Sequence, residues 1–178
     1  MILAIDPGNT ESAYVVLESD YTLRSKGKVS NADMLDVIRR YIPACRNVII
    51  ERIASYGMAV GRTVFETCEW VGRFTQQAEE LGATVEYIYR LEEKMAICHD
   101  QKANDATIRR ALIDRFAKHD FRTGRGTKNN PDYFYGFAAD TWAAMAVAVT
   151  YYARNELYES GRGREYGAGN VARTSAQG

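Results

Sequence analysis

Four apolar residues, Ile2-Leu3-Ala4-Ile5, run without a break into a carboxylate, Asp6, and then into Pro7-Gly8. A strand buried on both faces reads as a continuous apolar run, and Pro-Gly marks a turn. The stretch from Ser12 to Leu17 is again strand-like, so the chain opens as a strand, a tight turn and an antiparallel strand. An Asp closing a buried strand lies beside a desolvated core, where an unpaired charge is costly. Asp6 therefore either caps the turn, a common role for Asp, or binds a cation.

Two further acids bear on that choice. Asn47-Val48-Ile49-Ile50 is a second short apolar run, and it ends in Glu51. Glu is a poor strand residue and is almost never fully buried unless paired. If the two strands are neighbours their carboxylates converge, and like charges at close range need a proton or a metal between them. Mg²⁺ prefers such an all-oxygen environment. The third acid is Asp140, the only one in the early turns of an Ala-rich segment spanning 137–153 that is apolar on nearly every face. Such a helix is a buried helix. Asp140 either favours the positive helix N-terminus or, with the helix lying close against a sheet, faces Asp6 and Glu51.

The 178 residues suit one domain with a sizeable core. No apolar run reaches membrane-spanning length, and the first strand begins at residue 2, where a signal peptide would lie. The cysteines, Cys45, Cys68 and Cys98, are odd in number and share no CxxC spacing, which indicates reduced thiols and a cytoplasmic setting rather than a structural zinc site. The two histidines, His99 and His119, lack a ligand pattern, which disfavours a zinc hydrolase or a His-based nucleophile. With 23 basic and 23 acidic residues the net charge is zero. The span 101–128 nevertheless holds eight basic residues against three acidic ones. Such a stripe can track phosphates, or it can be a solvated helix face and a mobile loop.

The pattern along the chain predicts a three-stranded meander (2–6, 12–18, 21–29), a helix from Ser30 to about Tyr41 and a strand over 48–51. A long helix over 60–81 follows, with Val64, Phe65, Cys68, Val71, Gly72 and Phe74 mostly in the core. Then come a strand over 83–88, a short helix over 92–97, and a helix capped by Asn104 or Asp105 that ends near Lys118. Residues 121–134 read as a flexible basic loop, and the buried helix closes the domain. The expectation is an α/β domain over 1–153, a mixed five-stranded sheet flanked by helices, with a flexible tail over 154–178.

The motifs Ile5-Asp6-Pro7-Gly8, Ile50-Glu51 and Ala139-Asp140-Thr141-Trp142-Ala143, in this order of elements, resemble the RuvC-type Holliday junction resolvases of the RNase H-like superfamily, and more narrowly their phage-type members. The resemblance implies a Mg²⁺-dependent crossover junction endodeoxyribonuclease, acting in a bacterial or phage-infected cell. It implies two metal ions, with Mn²⁺ as a substitute. Asp6 would bridge both metals, and Glu51 and Asp140 would each bind one. Two metals about 3.5–4 Å apart activate the attacking water and stabilise the leaving oxygen. The family has another acid one helical turn before the last Asp; here that position is Phe137. Asp105 and Asp132 are the candidates to replace it.

The resemblance also implies catalytic lysines, for which Lys94 and Lys102 stand in the corresponding segment. DNA contacts are expected from Tyr56 and Arg62 just after Glu51, and from Lys102, Arg109, Arg122, Arg125 and Lys128 in the basic stripe. Family members are homodimers, since two symmetric cuts need two sites, and Trp70 on the long helix is an interface candidate. The alternatives are a nuclease for other branched DNA or RNA–DNA hybrids, or a non-catalytic DNA-binding relative. The actin-like ATPase fold also opens with strand-Asp-x-Gly, but it needs a second lobe that a chain of this length lacks.

Overall fold

The computed structural model describes residues 1–54, 57 and 60–159. Five strands, β1 (Ile2–Asp6), β2 (Glu11–Leu17), β3 (Leu23–Ser30), β4 (Asn47–Arg52) and β5 (Thr84–Tyr89), form one sheet in the order β3-β2-β1-β4-β5. The β1–β2 and β2–β3 pairs are antiparallel, joined by short turns. The β1–β4 and β4–β5 pairs are parallel, because helices α1 (Asn31–Tyr41) and α2 (Arg62–Glu80) return the chain to the same end of the sheet. After β5 a four-residue helix, α3 (Arg90–Glu93), runs into a π-helical turn (Lys94–Cys98). Helices α4 (Asp105–Phe116) and α5 (Ala139–Glu159) complete the chain. The mixed five-stranded sheet expected from the sequence is the one formed.

Alternation along the strands divides the core in two. Leu3, Ile5, Val16, Val48 and Ile50 face α1 and α2, packing on Met34, Ile38 and Phe74. Ala4, Ala13, Val15 and Ile49 face α4 and α5, packing on Leu112, Ala144, Met145 and Ala148. Small residues let α5 lie close to the sheet. It continues to Glu159, past the domain boundary drawn at 153, and Arg154 forms an ion pair with Glu86 of β5. Residues 160–178, and so most of the expected tail, lie outside the described residues. Among the described residues no helix is long and apolar enough to cross a membrane.

The turn that follows Asp6 is fixed from below. Asn31, buried at the start of α1, donates to the Gly8 carbonyl at 2.9 Å and accepts from the Ser12 hydroxyl at 2.6 Å. Ser12 in turn accepts from the Gly8 N–H at 3.2 Å. A Cβ on residue 8 would stand 2.3 Å from the Glu11 carbonyl oxygen, so the close approach of the two turn strands requires glycine.

Two sequence expectations are corrected here. On α2 only Thr67, Phe74 and Ala78 are buried, while Cys68, Gly72 and Phe65 face solvent, Phe65 with 59% of its surface exposed. Helical spacing gave α2 too wide a core stripe, because it packs only on α1 and the β4–β5 side of the sheet. The second correction concerns 121–134, which is densely hydrogen-bonded rather than flexible. The buried Asp132 carboxylate accepts from the backbone N–H groups of Lys118, His119, Asp120 and Tyr133, at 2.6–2.9 Å for Asp120, His119 and Lys118 and 2.7 Å for Tyr133. Asp120 accepts from the N–H groups of Arg122, Thr123, Arg125 and Gly126. Phe134 is buried and stacks on Trp142 with ring centroids 4.3 Å apart.

Burial works to raise the Asp132 pKa, and the four N–H donors outweigh it, holding the group well below the usual carboxylate range. Asp132→Ala leaves those donors without an acceptor and should destabilise the fold by at least about 2 kcal/mol, read as a lower urea midpoint at unchanged slope. Because the folded pKa is depressed, the contribution is full above the ordinary value of 3.8 and is lost as pH falls below it, so the variant should also show a flatter acid limb. A midpoint unchanged at pH 7 would contradict this account of the loop.

Candidate active site

The site begins with strand register. Ile5 of β1 pairs with Ile50 of β4, so the next residues, Asp6 and Glu51, emerge side by side. Asp6 also pairs with Ala13, Ala13 with Lys28, and Glu51 with Ile88. Lys28, Ala13, Asp6, Glu51 and Ile88 thus form one row across all five strands. The row lies on the face that carries α5, since Ala4 and Ile49, two residues earlier on their strands, pack there. Ala13 leaves open space between the Lys28 side chain and Asp6.

Helix α5 brings the third acid over this row. Asp140 lies in its first turn, entered through Thr141, whose hydroxyl accepts from the Ala138 N–H at 2.9 Å. Its carboxylate pairs with the Lys28 ammonium at 2.7 Å, and the same ammonium meets Glu11 at 2.9 Å. Asp6, Glu51 and Asp140 all line one open cleft of about 720 Å³, which Arg90, Arg109, Arg110 and Arg122 also line. A smaller space of about 300 Å³ lies on the other side of Asp6, between the Pro7–Glu11 turn, Lys28 and Asp140.

The electrostatics follow from burial and crowding. Desolvation, then the Glu51 charge and a hydrogen bond with it, then Asp140, push Asp6 up to about 8. Glu51 is also raised, first by burial, while Asp6 as hydrogen-bond donor and the Arg90 charge oppose the shift. The two carboxyls therefore share a proton at neutral pH in the absence of a cation. Among the described residues no three acidic, His or Cys side chains stand close enough together to hold a single ion as placed. Lys28 pairs with Asp140, and Arg90 with Asp105.

Three residues at the site were not singled out from sequence. Arg90 opens α3, lines the cleft and pairs with both Glu93 and Asp105. Glu93 is fully buried, and its Oε1 has no hydrogen-bond partner. Burial, then the Glu51 charge, raise it to about 9 against the pull of Arg90. Lys28 is the third. The sequence Arg90-Leu91-Glu92-Glu93 reads as a solvated helical turn, and Lys28 as one of several charges on an edge strand; only tertiary packing turns Glu93 and Lys28 toward the acids.

Of the expected site residues, Asp6, Glu51, Asp140, Asp105, Arg109 and Arg122 line the cleft. Asp105 stands exposed at its mouth, one residue into α4, whose Asn104 cap accepts from the Thr107 N–H at 3.0 Å. Arg109 lies over the Trp142 ring, 4.6 Å from its centroid. Lys94 and Lys102 are not in the lining: α3 turns Glu93 inward and leaves Lys94 on another face, and Lys102 sits in an exposed turn. Asp132 is no replacement for the missing acid, because its carboxylate is consumed by the four backbone donors. Nor is Phe137 a helical position facing the acids. It precedes α5, is 3% exposed, and packs on Phe134 and Trp142. Arg125 is drawn inward, donating to the Phe137 carbonyl at 2.7 Å, which removes it from the exposed stripe. Lys128 is exposed at the loop tip, away from the cleft lining. Arg62 is exposed at the start of α2 and pairs with Glu66, which also accepts from Asn9 in the Asp6 turn at 3.3 Å. Tyr56 lies outside the described residues.

No protein-family model matches the sequence, and no curated protein is detectably similar to it. Solved structures do match. RuvC from Thermus thermophilus in complex with a Holliday junction substrate superposes with a TM-score of 0.63 at 16% identity, covering 90% of this chain and 96% of that one. A second Thermus thermophilus RuvC structure superposes with a TM-score of 0.61 at 17% identity, with the same coverage. The sheet order, the flanking helices and this likeness over nine-tenths of the chain establish that the protein has the RNase H-like fold, in the form found in RuvC.

Proposed function

We propose that the cleft is the active centre of a divalent-metal-dependent endonuclease that cuts branched DNA, with four-way junctions as its substrate. The observation that carries this reading is the convergence of Asp6 and Glu51, each following the Ile5–Ile50 pair, with Asp140 in a cleft that arginines also line. Two adjacent carboxyls that burial raises, with the Glu51 charge pushing Asp6 further, are the chemistry of a hard-cation site: a divalent ion relieves the repulsion that a shared proton otherwise relieves. The donor set therefore fits Mg²⁺, with Mn²⁺ as its substitute. Asp6 and Glu51 would hold the metal, joined by Asp140 on α5. When bound, a pair of such ions supplies an activated water and stabilises the leaving 3′ oxygen.

The chain's own residues do the rest. Arg109 and Arg122 in the cleft, and Arg62 at the start of α2, bind backbone phosphates. Arg90, held by Glu93 and Asp105, places a positive charge beside the acids, the role for which the resemblance offered Lys94 and Lys102. Such preorganised charge stabilises a phosphoryl centre as negative charge builds on it. Arg109, stacked on Trp142, loses little rotamer freedom on meeting a phosphate. Resemblance of the fold to RuvC, one of whose structures holds a Holliday junction, supports this choice of substrate.

The reading is tested with purified protein on a four-way junction and on a linear duplex of the same sequence. The wild type should cut the junction only with Mg²⁺ or Mn²⁺ and leave the duplex intact. Asp6→Asn should lower junction cleavage by more than about 10³-fold, while affinity for the junction stays within about threefold because phosphate contacts dominate it. Near-wild-type cleavage by Asp6→Asn would overturn the assignment.

A homodimer belongs to the same proposal, since two symmetric cuts call for two copies of the site. The exposed Phe65, Cys68 and Gly72 lie on one side of α2 and offer an apolar face for it, with Trp70 nearby packed at a tilt on Phe74 and under Arg73. Phe65→Glu should shift the mass measured by light scattering from dimer to monomer. A wild type that is monomeric both free and on junction DNA would contradict this part of the proposal.

A further inference from the structure

We propose that Phe121 is a stacking platform for an unpaired nucleobase at the branch point of the bound DNA. This rests on the reading of the cleft as a DNA site, and it adds a contact that neither the motifs nor the fold assigns.

Phe121 follows α4 and is 55% exposed, on a segment whose backbone is densely hydrogen-bonded. An aromatic ring of this size normally contributes to folding by leaving water, and Phe121 does not. Its backbone is nevertheless held on both sides. The carbonyl accepts from Arg110 at 2.9 Å. The preceding residue, Asp120, donates its N–H to Asp132 at 2.6 Å, and the following residue, Arg122, donates its N–H to Asp120 at 3.2 Å. The ring is thus presented to solvent from a fixed backbone, so ordering it on a ligand costs little.

Its neighbours define the ligand. Arg110 and Arg122 both line the cleft that holds Asp6, Glu51 and Asp140. Arg122 is the next residue along the chain and Arg110 holds the Phe121 carbonyl, so the exposed ring stands on a segment that carries two cleft-lining cations, and aromatic rings with cations nearby bind unpaired nucleotides, with bases stacking on the ring and phosphates on the cations. In continuous duplex both faces of every interior base are already stacked on neighbours, which leaves nothing for Phe121 to take. At a branch the stack is interrupted, so the ring selects the discontinuity.

The test uses full-length protein in buffer without divalent metal, so that binding is read without cleavage. The probes are a four-way junction with 2-aminopurine at the branch point and the matched linear duplex. Wild type should prefer the junction and quench the branch-point fluorophore. Phe121→Ala should weaken junction binding roughly 5- to 150-fold, leave duplex binding unchanged and abolish the quench. Phe121→Trp should retain both affinity and quench, whereas Phe121→Leu, which keeps apolar bulk without an aromatic face, should lose them. If wild type prefers the junction and Phe121→Ala matches it in affinity and quench, Phe121 is solvated surface and the inference falls while the nuclease reading stands. If wild type itself does not distinguish junction from duplex, the inference falls together with the branched-DNA reading.

Discussion

The arrangement of the whole site depends on one pairing, Ile5 of β1 beside Ile50 of β4. It places Asp6 and Glu51 side by side at the ends of two buried parallel strands, where their charges crowd one another. A one-residue slip would send one of them to the α1–α2 face. The apolar runs that precede them pin the register, because Leu3, Ile5, Val48 and Ile50 must face one core and Ala4 and Ile49 the other. The repulsion built into the pair is therefore a consequence of good packing elsewhere, a local conflict of the kind expected at functional sites.

What surrounds the pair follows from that repulsion. Arg90 and Lys28 supply positive charge from opposite sides, one anchored by the buried Glu93 and the other shared by Asp140 and Glu11. Removing one partner of such a set leaves a buried or half-buried charge uncompensated, which is why these charges occur as a group. Helix α5 completes the arrangement because its alanines let it approach the sheet closely enough for Asp140 to reach the row that Asp6 and Lys28 share.

The fold and the three acids were legible in the sequence for local reasons. Uninterrupted apolar runs ending in Asp6 and Glu51 fixed two neighbouring strands, and the Ala-rich run after Asp140 fixed a buried helix. What was not legible depended on which way a side chain turns in three dimensions. Glu93 and Lys94 are adjacent, and nothing local says that the acid goes in and the lysine stays out. Phe65 and Phe74 both satisfy a helical stripe, and only the narrow contact of α2 separates exposed from buried. The loop before α5 looked flexible for its glycines, yet Asp120 with Thr123-Gly124, and Asp132 after Pro131, are turn-forming side chains that could have signalled a hydrogen-bonded loop. The donors to Asp120 are local, but three of those to Asp132 lie twelve to fourteen residues away, which no local pattern shows.

The claim most exposed to experiment is that the Asp6–Glu51 pair is a cation site. Diffraction from crystals soaked in Mn²⁺, collected at a wavelength where manganese scatters anomalously, tests it without reference to activity. The account predicts an anomalous peak in contact with the carboxylates of Asp6 and Glu51, absent from crystals of Asp6→Asn. Full Mn²⁺ occupancy elsewhere on the protein with no peak at this pair would contradict it.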